Sequence, residues 1–144
     1  METIKIKILD RSIPVLRYAH AGDAGLDLYS SINCELKPFE RKKIPTGIKI
    51  SIPQGYAGFI QPRSGLAIKN GISVANTPGL IDSGYRGEVC AILINLDPKN
   101  TFEIKKGDKI CQLVIHKVEE VKLETTEDLG ETSRGEGGFG STGK

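Results

Sequence analysis

The chain has 144 residues, 38% hydrophobic and 26% charged, with 20 Lys and Arg against 18 Asp and Glu for a formal net charge of +2. That length predicts one domain, able to bury roughly 68–70% of the surface its unfolded chain exposes. The balance excludes an intrinsically disordered chain and a basic coat for nucleic acid. The 17 Gly and 7 Pro, with one Met and no Trp, predict many turns and few long helices. No apolar run approaches the ~18 residues of a membrane span. Met1 is not followed by a charged-then-apolar leader, so a soluble, cytoplasmic protein with no membrane partner is expected.

In chain order, Ile4, Ile6 and Ile8 alternate with Lys5 and Lys7, which predicts a half-buried first strand. Ile48, Ile50 and Ile52 alternate with Lys49 and Ser51, and a turn at Pro53-Gln54-Gly55 leads into a strand over Tyr56 to Gln61. Ser64 is suited to an N-cap, Leu66 to Lys69 to a helix of two turns at most, and Gly71 to its C′ position. Asn76 to Gly87 reads as a turn-rich hairpin carrying one acid and one tyrosine. Val89, Ala91 and Leu93 form one face of the next strand and Cys90, Ile92 and Ile94 the other, so both faces are expected to be covered. A last strand is predicted over Ile110 to Val118. Turn signals recur about every eight to twelve residues, the spacing of a sandwich. The predicted fold is all-β, a jelly-roll-like sandwich or barrel with one short helix.

Residues 124–144 differ in kind. They hold only two large apolar residues, Leu129 and Phe139, and six glycines, too little apolar surface to hold a fold. The chain therefore divides into a β domain over 1–123 and a flexible Gly-rich arm over 124–144.

Cys34, Cys90 and Cys111 are odd in number, lack CxxC spacing and sit in apolar stretches, so they read as small buried hydrophobes. His20 and His116 are far apart, with no second ligand nearby, which leaves chemistry to carboxylates, hydroxyls, Arg and an oxygen-bound cation. Gly138-Phe139-Gly140-Ser141-Thr142-Gly143 matches G-x-G-x-x-G, and Gly138 to Lys144 spells G-x-x-x-x-G-K. Neither has the strand before it and helix after it that a dinucleotide fingerprint or Walker A requires. Glycines that let backbone N–H groups close on phosphate remain, with the Ser141 and Thr142 hydroxyls and the Arg134 fork. Phe139, stacked on a base, would contribute ~1–3 kcal/mol. This reads as a clamp for a nucleoside triphosphate. Pro62-Arg63-Ser64-Gly65-Leu66-Ala67 places a guanidinium, a hydroxyl and a helix N-terminus together, suited to phosphate, although the same residues also make an ordinary cap. Beside phosphate binders, Asp82 becomes a candidate base for activating water.

Five segments in order resemble the motifs of the homotrimeric dUTP diphosphatase (dUTPase) family, across nearly the whole chain. They are Ala21-Gly22-Asp23-Ala24-Gly25-Leu26-Asp27-Leu28, Arg63 to Ala67, Gly79 to Val89, Gly107-Asp108-Lys109-Ile110-Cys111-Gln112-Leu113, and Arg134 to Gly143. The resemblance implies a homotrimer with three shared active sites. The first, second and fourth motifs come from one subunit, the third from another and the arm from the last. It implies hydrolysis of dUTP to dUMP and pyrophosphate, which keeps uracil out of DNA and supplies dUMP for dTMP synthesis. Asp82 activates the water that attacks the α-phosphorus, and Asp27 holds the waters around Mg²⁺. Ser64 and Gln112 contact phosphate, with Gly65 beside them and Arg63 more a support for the site. Arg134, Phe139, Gly140, Ser141 and Thr142 close over the substrate. Asn76, Gly79, Leu80 and Ile81 sort uracil from cytosine, and Tyr85 under the sugar excludes a 2′-hydroxyl. Gly84 departs from relatives that carry an acidic or small side chain there. The resemblance leaves two rivals: a dCTP deaminase of the same fold, which would release ammonia from dCTP, and a trimeric module that binds nucleotides without turnover.

Overall fold

Two four-stranded sheets face each other across one apolar core. The computed structural model describes residues 2–143; Met1 and Lys144, the latter part of the arm's Gly138-to-Lys144 pattern, lie outside them. The strands are β1 (Lys5–Ile8), β2 (Gly25–Tyr29), β3 (Cys34–Leu36), β4 (Arg41–Ser51), β5 (Tyr56–Gln61), β6 (Ile72–Val74), β7 (Gly79–Ile81), β8 (Glu88–Asn95), β9 (Phe102–Ile104) and β10 (Lys109–Lys117), with one helix, α1 (Ser64–Asn70). One sheet runs β1-β4-β8-β6 and the other β2-β10-β5-β7, while β3 and β9 form a small ribbon. All the pairings are antiparallel. Leu28, Ile44, Ile60, Val89, Leu93 and Leu113 come from both large sheets and meet in the core. The jelly-roll-like sandwich read from the alternation is the observed architecture.

The strand over Tyr56 to Gln61 runs between the expected residues, and Tyr56 N–H closes the preceding turn on Pro53 O at 3.2 Å. At the end of α1, Gly71 sits at φ 66°, ψ 21° and its N–H reaches Ala67 O at 3.1 Å. That left-handed geometry favours glycine, which is why the helix stops where the sequence says it does.

Four local expectations are corrected. First, β1 forms but all four of its residues are exposed, Ile6 and Ile8 included. It is the edge of its sheet, paired only to β4, so alternation marked a strand without marking a covered face. Second, on β8 Val89, Ala91 and Leu93 are buried, whereas Cys90, Ile92 and Ile94 are only half-buried. Third, Ser64 does not cap α1. Arg63 occupies the N-cap with extended backbone (φ −90°, ψ 129°), and no side chain caps the helix. Fourth, Asn76 to Gly87 is not a hairpin of mutually paired strands. Its β7 pairs with β5, whereas the preceding β6 pairs with β8 in the opposite sheet. The segment therefore crosses from one layer to the other.

The cysteines divide. Cys111 is buried and its thiol is pushed up to about 12 by desolvation, while Cys34 and Cys90 are half-buried and raised by the same cause. All three are free, as expected. The only helix among the described residues has seven residues, and none is long and apolar enough to cross a membrane.

Candidate active site

Three of the five segments meet on one edge of the molecule. Antiparallel register places Asp27 of β2 opposite Gln112 of β10, and Gln112 opposite Gln61 of β5. The chain leaving β5 then runs through Pro62 and Arg63 into α1. Arg63 Nε lies 3.3 Å from Asp27 Oδ1, and Lys109 Nζ lies 2.8 Å from Asp27 Oδ2. Arg63 Nη1 also donates to the Lys109 carbonyl at 3.4 Å, and Gln112 Nε2 donates to Pro62 O at 3.1 Å. Gly25 leaves room for the Gln112 amide, which lies where a Cβ would stand. Asp27 keeps 19% side-chain exposure, against 35% for Arg63 and 42% for Lys109. The cluster is thus a nearly covered carboxylate held by two half-exposed cations, which keep N–H donors free for an incoming anion. Ser64 and Gly65 are exposed at the first turn of α1, next to this cluster.

Lys109 escaped the sequence reading, for a physical reason. Lys109 and Gln112 are three apart, so on a regular strand they would face opposite ways. A bulge between Lys109 and Cys111 shifts the register, and Ile110 and Cys111 are both buried in succession. The inserted residue re-aims Lys109 toward Asp27. A basic residue three before Gln112 was visible in the sequence; the bulge was not.

The third segment lies elsewhere on the chain. Asn76, Gly79, Leu80, Ile81, Asp82 and Tyr85 line a cavity of about 520 Å³, a size that admits a small organic ligand. Lys43 and Glu88, neither of them singled out from the sequence, also line it, together with Cys90 and Ile92 on the half-covered face of β8. The Asn76 amide packs beside Gly79, where a Cβ would sit 3.3 Å from Nδ2. The Asp82 carbonyl accepts from Tyr85 N–H at 3.0 Å, closing a turn that leaves the Asp82 side chain exposed. Tyr85 donates its hydroxyl to Glu88 O at 2.9 Å, and Glu88 Oε1 accepts from Gly47 N–H at 2.9 Å on the bulge of β4. Among the described residues, no hydrogen bond or ion pair joins this loop to the Asp27 cluster.

The arm joins neither. After β10, the chain from Val118 to Gly143 contains no strand or helix. Its hydrogen bonds beyond Val118 are internal turns, such as Ser141 N–H to Gly138 O at 3.0 Å, and Arg134 Nη1 donates to Gly137 O at 3.3 Å. Phe139 is wholly exposed at φ 50°, and Gly140 at φ 89° continues the bend. Ser141 and Thr142 are exposed beside it.

Among the described residues no three His, Cys, Asp or Glu side chains converge as a metal site. Asp27 stands alone, with both oxygens on cations. That donor set does not fit a bare divalent ion. It fits hydrated Mg²⁺ arriving with a polyphosphate, because Mg²⁺ keeps several waters and binds through one or two carboxylates plus substrate phosphates.

The chain is thus all-β but for one short helix, with two cations around Asp27, a separate loop carrying Asp82 and Tyr85, and an exposed Gly-rich arm. Comparison with known proteins names its class. The dUTPase family model matches residues 11–143, and the chain belongs to that family. It is 52% identical to the deoxyuridine 5′-triphosphate nucleotidohydrolase of Bifidobacterium longum subsp. infantis over 141 residues, 97% of this chain and 89% of the relative. Against the Corynebacterium glutamicum protein of the same name it is 49% identical over 144 residues, 100% of this chain and 97% of that one. Among solved structures, a variant of the Staphylococcus bacteriophage 80alpha dUTPase with dUpNHpp superposes with TM-score 0.92 at 28% identity, covering all of both chains. A variant of the S. aureus phage phi11 dUTPase, described as coordinating a structural Mg(II) ion, gives TM-score 0.81 at 27% identity over 89% of this chain and 99% of that one.

Proposed function

We propose that this chain hydrolyses dUTP to dUMP and pyrophosphate, in a homotrimer whose three sites are each assembled from three chains. The observation that carries the composite reading is the separation just described. The cluster of Asp27, Arg63, Lys109 and Gln112 has its one carboxylate on two cations and none free to activate water, whereas the Asp82 loop has a free carboxylate while its one cation, Arg86, turns Nη1 to the loop's own Ser83 and Tyr85 carbonyls and only Lys43 of β4 joins it in the cavity wall. Each part supplies what the other is missing.

In this reading, Ser64, Gly65 and Gln112 receive the phosphate oxygens, while Arg63 and Lys109 keep Asp27 aligned and add positive potential. Asp27 would hold, through intervening waters, the Mg²⁺ that comes with the nucleotide. When bound, that ion neutralises charge on the leaving pyrophosphate. On the neighbouring chain, Asp82 accepts the proton of the attacking water; among the described residues no ion pair engages its carboxylate. The backbone of Gly79, Leu80 and Ile81 with the Asn76 amide meets the uracil edge; cytosine would leave those groups unpaired, a rejection worth up to ~10⁴–10⁵. Residues 124–144 form the arm of the remaining subunit. Its Phe139 covers the base, while Arg134, Gly140, Ser141 and Thr142 close on the phosphates. Among the described residues the arm makes hydrogen bonds only within itself, which leaves its exposed surface free for that contact.

The test is release of pyrophosphate from dUTP by the purified protein with Mg²⁺, against ammonia from dCTP. Asp82→Asn should still bind a non-hydrolysable dUTP analogue while kcat falls by ~10²–10⁴. Ammonia from dCTP, or undiminished kcat in the variant, would overturn the reading.

A further inference from the structure

Gly87 lies in the third segment, one residue before β8 begins. Its φ falls outside the left-handed region that favours glycine, so its backbone is open to any residue. The space around it is not. A Cβ at Gly87 would stand 2.5 Å from Cζ and 2.9 Å from Cε2 of Tyr85 and would overlap the phenolic oxygen. Gly84, in the same loop, has nothing within 4 Å. The three atoms nearest that position all belong to the Tyr85 ring and its hydroxyl, folded back across Gly87.

That ring is held at its hydroxyl, and the backbone that carries it is held by the loop. Tyr85 N–H closes the turn on Asp82 O at 3.0 Å. Arg86 Nη1 donates to Ser83 O at 2.6 Å and to Tyr85 O at 2.7 Å, fixing the loop backbone. The phenol hydroxyl reaches Glu88 O at 2.9 Å, and Glu88 is itself tied to Gly47 of β4. Gly87 is the gap that lets the ring complete this path. A methyl there would lever the phenol off Glu88, because an aromatic ring cannot bend around an obstacle and must swing as a whole.

We propose that Gly87 is a specificity-determining position: its missing side chain sets the height of Tyr85 as the floor beneath the sugar, and so controls rejection of a 2′-hydroxyl. Gly87 acts through Tyr85 and is a positioning residue. The inference rests on the dUTP reading of the same loop.

The experiment is a double-mutant cycle on the full-length protein, with kcat/KM measured for dUTP and UTP in wild type, Gly87→Ala, Tyr85→Ala and the double variant. Misplacing a group by one carbon in such a pocket is worth roughly 10–200-fold, and the dUTP/UTP ratio of Gly87→Ala should fall within that range. The same methyl should change nothing further on the Tyr85→Ala background, since the group it displaces is gone. An unchanged ratio in Gly87→Ala, or an equal loss with Tyr85 absent, would overturn the proposal. If Gly87→Ala fails to fold while the double variant folds, the phenol is the obstacle and the proposal stands; if neither folds, glycine is needed for another reason and it falls. A wild type that leaves dUTP intact would remove the functional reading and this inference together, an outcome distinct from an active enzyme with an unmoved ratio.

Discussion

Mixing two crippled chains should restore activity that neither has alone. The first carries Asp82→Asn and keeps its arm; the second lacks residues 134–144 and keeps Asp82. In the composite reading, each site takes its Asp82 loop from one neighbour and its arm from another. A site then works only when the loop comes from the truncated chain and the arm from the substituted one. For random trimers, with a fraction f of one variant, the working share follows f(1−f), which peaks at about one quarter of sites for equal mixing. Asp82→Asn alone should sit ~10²–10⁴ below wild type, so the mixture should rise at least roughly 25-fold above that parent. Two differently tagged chains are co-expressed or refolded together, and pyrophosphate release from dUTP is followed on the unfractionated mixture as f is varied; trimers isolated through both tags should instead hold about one working site in three at every f. Mixed trimers no faster than their parents would refute the assignment of loop and arm to different chains. So would a dependence on f without the central maximum.

Asn95, fully buried, donates Nδ2 to Leu36 O at 2.9 Å and Asn100 O at 2.8 Å and accepts Asp97 N–H at 2.9 Å. Asn95→Leu strands all three partners, with water able to reach Asn100 and Asp97, so a loss of about 2–4 kcal/mol is expected in urea unfolding; a loss below about 1 kcal/mol would mean the network is dispensable. Asp10 is held at about 2, below its ordinary 3.8, chiefly by the Lys106 ammonium at 2.6 Å and then by Ser12. Its stabilising contribution is complete above the unfolded value and is lost as pH falls from there through about 2. Lys106→Met should move the Asp10 titration midpoint, read by NMR, upward but not fully to 3.8, because the Ser12 bonds stay; an unmoved midpoint would dismiss the pair as the cause.

Much of the architecture was legible because strands announce themselves locally. Tyr56 to Gln61 and the stop at Gly71 depend on neighbours a few residues away, and they lie where the pattern placed them. The errors at β1 and β8 share a cause. Alternation reports which residues could face a core, whereas burial depends on whether another layer arrives. Among the described strands β1 pairs with β4 alone, at the edge of its sheet, and the outer face of β8 borders the cavity. The missing hairpin has a related cause, since β6 and β7 are close in sequence but enlist in opposite sheets.

Sequence alone determined the residue types on which the chemistry depends: a carboxylate in a glycine-rich segment, the Arg63-Ser64-Gly65 turn, the Asp82 and Tyr85 loop, and the arm's glycines around Phe139. These follow from composition and local spacing, which a linear chain carries in full. Tertiary structure decided which of them meet. Register across β2, β10 and β5 brought Asp27 to Arg63 and Gln112, a bulge delivered Lys109, and the crossing between layers carried Asp82 away from all of them. Distance in space depends on pairings between segments dozens of residues apart, and no local pattern encodes those pairings.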